Sequence, residues 1–138
     1  MKNIYLKALL VLCLFSSCEE AKFTVYTIIV KNKSNHNIQF FVARPGSEFL
    51  YPDTTLPTKK IGSPVIFPSL SGYVDSSIKW EKQYSKLPSD KMSIYIFDSD
   101  TLKKYDWEDV RLNYRILKRY DLTLQDLQST DFYVNYTE

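Results

Sequence analysis

The chain has 138 residues, with 18 Lys and Arg against 16 Asp and Glu, one histidine and two cysteines. That length fits a single domain able to bury a sizeable core. Two cysteines are too few for a disulfide framework, and a nearly balanced charge gives no support to nucleic-acid binding.

The first seventeen residues read as a signal rather than as part of the domain. Lys2 and Lys7 form a positive start, Ala8 to Phe15 form a compact apolar core, and Ser16 and Ser17 are small. A membrane span needs about 20 apolar residues, and charge resumes at Glu19. The stretch Leu14-Phe15-Ser16-Ser17-Cys18 resembles the bacterial lipobox, in which small residues precede a cysteine that is acylated and becomes residue one. Leucine usually stands three positions before that cysteine; here Phe15 does. The resemblance implies a signal at 1–17, a palmitate-type lipid anchor on Cys18, a short tether at 18–22 and one globular domain at 23–138. It implies export and anchoring in the outer membrane, facing the periplasm or the outside. Three acyl chains would hold the protein permanently, because stable anchoring needs more than one. Loss of Lys2 and Lys7 lowers Lys plus Arg from 18 to 16, against 16 acids, so the mature domain is close to neutral.

After the tether, residues 23–30 are β-branched and aromatic on both alternating sets, which predicts a central strand. Asn32 to Asn37 is turn chemistry, and residues 38–43 return as a second strand, a β-hairpin signal. All six prolines and all three glycines fall between 44 and 88. Loops are expected there, with a short segment near 65–67 and a strand near 77–81. Residues 91–97 predict a further strand. Asp106 can cap a helix, with Asp109 at capping-box spacing and Trp107, Val110, Tyr114 and Leu117 on one face of 106–119. Thr123 to Asp126 repeats the capping pattern for a second short helix, and 132–136 predicts a final strand.

Few residues point to chemistry. His36 lies alone in an Asn-rich turn, and no serine occupies a nucleophile elbow. Asp98-Ser99-Asp100 opens like a calcium loop, but Leu102 and Lys103 occupy positions that need a ligand and a glycine. No catalytic residue, metal ligand or cofactor is assigned. Two surface features carry candidate roles. Arg111, Arg115, Lys118 and Arg119, with Lys103 and Lys104 nearby, form a basic patch suited to an anionic partner. Tyr73 and Trp80 lie in or beside the loop-rich middle and are candidate glycan contacts, because aromatic faces stack on sugar rings; aromatics reach 15% of the chain.

The stretch from Thr101-Leu102 through Trp107-Glu108-Asp109-Val110 to Tyr114 and onward to Leu127 resembles a block found in small, uncharacterised lipoproteins of gut Bacteroidota, as does the Asn-rich turn. That resemblance implies an envelope protein with one compact domain and transfers no active site. Bacteroidota also attach O-glycans at Asp-Ser/Thr-apolar motifs, which Asp100-Thr101-Leu102 is similar to, and Asp53-Thr54-Thr55 less closely.

The expected fold is mainly β: an antiparallel sheet or small sandwich with a helix pair inserted before the last strand, or an α+β two-layer arrangement in which the 106–119 helix covers one sheet face. The expected function is that of a lipid-anchored, non-enzymatic accessory or interaction module of the cell envelope, with an envelope protein as its partner; the alternative is a surface glycan-binding lipoprotein.

Overall fold

The computed structural model describes residues 24–138. The signal, Cys18 and the tether lie outside the described residues. The elements are β1 (Tyr26–Asn32), β2 (Ile38–Ala43), β3 (Ser71–Ser76), α1 (Trp80–Tyr84), β4 (Lys91–Asp98), α2 (Ser99–Lys104), α3 (Trp107–Leu112), β5 (Lys118–Thr123), α4 (Leu124–Ser129) and β6 (Tyr133–Tyr136). They build two three-stranded sheets, β3-β1-β6 and β2-β4-β5. All pairings are antiparallel except that of β1 with β6, which is parallel. The domain is thus mainly β, with short helices between strands.

β4 organises the core because it is buried along both faces. Met92, Ile94 and Ile96 point between the sheets, where they meet Ile28 and Val30 of β1, Phe40 and Val42 of β2, and Val134 and Tyr136 of β6. Tyr95 and Phe97 point the other way into a second cluster with Leu56, Ile61, Leu102, Trp107 and Val110. The proline-rich loop is therefore held down: Leu56 is 1% exposed, and the Trp107 indole donates to the Pro57 carbonyl at 2.9 Å. It covers the outer face of the second sheet together with α2 and α3.

Three local expectations are corrected. β1 and β2 do not form a hairpin; they enter different sheets. Asn32, fully buried, makes the corner instead. Its amide donates to the carbonyls of His36 and Ile66 at 2.7 and 3.1 Å, and its carbonyl oxygen accepts from the Ser34 N–H and hydroxyl. Residues 77–81 are not a strand. The strand is 71–76, and Trp80 opens α1, where Trp80 and Tyr84, four positions apart, bury one helical face. The helix expected over 106–119 stops at Leu112. Asn113 caps it, Tyr114 turns with a φ of 50°, and the remainder becomes β5. Pairing β5 with β4 sets Tyr120 opposite Ile94 and Leu122 opposite Met92, which outweighs continued helix. The pair of helices before the last strand is α3 and α4, and β5 runs between them.

Candidate functional site

Where β2 and β3 face each other across the gap between the sheets, an open groove of about 360 Å³ is lined by Phe40, Phe41, Val42, Arg44, Ser47, residues 62–64 and residues 73–75. The local sequence builds its rim. Arg44-Pro45-Gly46-Ser47 is a turn in which proline presets one φ and Gly46 supplies a φ of 96°. The Ser47 N–H donates to the Arg44 carbonyl at 2.8 Å, and the Arg44 N–H donates to the Ser47 hydroxyl at 3.1 Å. This turn directs the Arg44 guanidinium across the groove, where Nη1 donates to the Asp75 carbonyl at 3.4 Å. The Asp75 carboxylate accepts from the Thr27 hydroxyl at 2.6 Å. Tyr73, 63% exposed, stands on the opposite rim. The groove therefore combines an apolar floor with a guanidinium, a carboxylate, a serine hydroxyl and a free aromatic ring.

No family model, curated protein or solved structure matches this chain. Its candidate chemistry is therefore read from its own residues.

Of the two aromatic residues expected to contact glycan, only Tyr73 is available. Trp80 is corrected: it is 2% exposed within the core between the sheets, out of reach of a ligand. The residues of the expected basic patch are spread over several elements: Arg111 lies on α3, Arg115 in the following turn, and Lys118 and Arg119 on β5. The arginines are already paired. Arg111 meets Glu108 through two nitrogens at 2.7 and 3.0 Å and holds that carboxyl below its ordinary range by hydrogen bonding. Arg115 meets Asp109 at 2.6 Å and lies 4.2 Å from the Tyr105 ring centre. Arg119 meets Asp121 at 3.1 Å and the Tyr114 hydroxyl at 2.8 Å. Lys118 rests 5.3 Å from the Tyr120 ring, Lys104 5.1 Å from the Tyr105 ring, and Lys103 pairs with Asp100.

The remaining singled-out residues have structural roles. His36 stands between Asp98, at 3.9 Å, and Glu138, at 3.4 Å. Asp98 caps α2: its carboxylate accepts from the Thr101 N–H and hydroxyl at 2.7 and 2.9 Å, so the hydroxyl of the Asp100-Thr101-Leu102 motif is engaged. Asp53 accepts from the Thr55 N–H within an exposed turn. Sequence reading missed Arg44, Ser47 and Asp75. The Arg-Pro-Gly-Ser turn was the available signal for the first two; Asp75 had none.

Proposed function

We propose that this chain is a lipid-anchored protein of the cell envelope whose folded domain is a non-enzymatic interaction module. The observation that carries the module reading is the groove between β2 and β3, which presents Tyr73 and Arg44 to solvent beside an apolar floor. The anchor reading rests on Leu14 to Cys18. Mass spectrometry of the N-terminal peptide from the native host tests the anchor: an acylated Cys18 is expected, and an unmodified one overturns it. Cys18→Ala should block acylation, whereas Cys13→Ala should not. Co-purification from the envelope tests the module. One partner recovered by the wild type and lost by Arg44→Glu with Tyr73→Ala is expected; equal recovery by both overturns the groove as the contact.

A second reading, surface glycan binding, draws on the same rim. A ring flanked by guanidinium, carboxylate and hydroxyl can stack on a sugar and hydrogen-bond its hydroxyls. Glycan-array binding abolished by Tyr73→Ala would favour it.

A further inference from the structure

β3 is an edge strand, and its pairing parity follows from its neighbours. The Asn32 N–H donates to the Leu70 carbonyl at 3.0 Å. Alternation from that pair makes Gly72, Val74 and Ser76 the residues that hydrogen-bond β1, opposite Val30, Ile28 and Tyr26. Ser71, Tyr73 and Asp75 therefore direct their backbone groups away from the sheet. The close contact between Thr27 and Asp75 agrees, since side chains approach nearest across a non-hydrogen-bonded pair. Of these outward groups, the Asp75 carbonyl is engaged by Arg44. The N–H groups of Ser71, Tyr73 and Asp75 and the carbonyls of Ser71 and Tyr73 have no hydrogen-bond partner among the described residues. The opposite wall is different. β2 is covered by a bridge from Ile38 to Ile66 and by the Ser63 hydroxyl, which accepts from the Phe40 N–H at 3.1 Å. One backbone edge of the groove is closed and the other is open.

We propose that the groove takes an extended peptide from a partner protein, added to β3 as a further strand. Donors and acceptors repeating at every second residue match an extended main chain. Phe40, Val42 and Val74 give apolar seats to peptide side chains on the inner face. Arg44 is exposed, has no carboxylate partner among the described residues and stands at the Asp75 end of the strand. The matching segment alternates apolar residues and carries an acidic group where it meets Arg44. The inference rests on the interaction-module reading and gives that module its ligand class.

The probes are peptides selected from a randomised display library on the full mature chain purified from its native host. Amide hydrogen exchange read by NMR reports the binding mode. Gly72, Val74 and Ser76 should be protected in the free protein, and a bound peptide should newly protect Ser71, Tyr73 and Asp75. Tyr73→Pro removes the central outward donor without deleting a bond to β1, and should weaken peptide binding on the order of tenfold. Arg44→Glu should turn the selected peptides from acidic to basic, a reversal that unfolding cannot imitate. Tyr73→Ala keeps every backbone donor, so any loss of peptide binding should be smaller than that of Tyr73→Pro, while a saccharide stacked on the ring would be lost. A library that yields no binder overturns the proposal. Binders that leave the three amides unchanged, or binding lost in Tyr73→Ala yet kept in Tyr73→Pro, also overturn it; these leave an interaction module with a different ligand.

Discussion

Burial, not residue type, decides what a side chain contributes, and two leucines in the last third make the comparison direct. Leu127, on α4, is 1% exposed within the core between the sheets; Leu117, ahead of β5, is 40% exposed. Leu127→Ala should cost about 2–5 kcal/mol because it leaves a cavity that its neighbours cannot fill. Leu117→Ala should stay within about 0.5 kcal/mol, reversing the expectation from a helix face that included it. Denaturant unfolding of both variants checks this, and equal midpoints would contradict it. Gly72 is the opposite case, a position where adding an atom is harmful. A Cβ there would lie 2.5 Å from Ile66 Cδ1 and 2.7 Å from Phe40 Cε1, and both residues are buried. Gly72→Ala should destabilise by about 1–3 kcal/mol through overpacking. Combining it with Ile66→Val should cost less than the two changes summed, because the shorter side chain makes room. Strict additivity would show that the clash is relieved elsewhere.

Among the elements, those whose signal came from side-chain pattern and capping chemistry were legible in the sequence, and those decided by a distant partner were not. β2, β4 and β6 announced themselves through β-branched and aromatic runs. Asp106 and Thr123 announced the starts of α3 and α4, and both side chains accept from the backbone N–H three residues on. β3 was missed because Ser71, Gly72 and Asp75 dilute its propensity; it is a strand because β1 offers it a ladder. β5 was missed because Tyr114 and Leu117 continue a helical spacing, while its own alternation places Tyr120 and Leu122 inward and Arg119 and Asp121 outward only once β4 is present. The groove was half legible: Tyr73 stood out as a residue, but its juxtaposition with Arg44 depends on two strands that are remote in sequence. The α4 cap also has a pH signature. Asp126 accepts from the Thr123 hydroxyl at 2.7 Å and from the Thr123 N–H at 2.8 Å, and these bonds hold its carboxyl below the ordinary aspartate range. A carboxyl with a depressed folded pKa stabilises above its unfolded pKa, and this is lost as pH falls through the folded value. Thr123→Ala should raise the Asp126 titration toward the ordinary range, measured by carboxyl NMR. An unmoved titration would mean that the hydroxyl is not the main cause.

At the scale of the whole molecule, buried tyrosines tie the fold to alkaline pH. Burial, with Tyr114 nearby, pushes the Tyr95 phenol up to about 12, and burial raises Tyr84, whose hydroxyl donates to the Leu122 carbonyl at 2.9 Å. A phenol whose pKa is raised by folding leaves stability intact below the unfolded value, near pH 10, and withdraws it as pH climbs through the folded one. The domain should therefore lose stability between about pH 10 and about pH 12. Tyrosinate absorbance from these residues should rise together with the loss of circular dichroism, and Tyr95→Phe should move the midpoint to higher pH. Ionisation of Tyr95 at about pH 10 in a chain that stays folded would contradict this. The parallel pairing of β1 with β6 sets Val30 beside Val134, so the first described strand waits for the last. Until then Tyr26 to Val30, a run of β-branched and aromatic residues, has a bare edge that invites the wrong neighbour. Late closure leaves that edge open until nearly the whole described domain has been synthesised, so β6 is the strand that completes the first sheet.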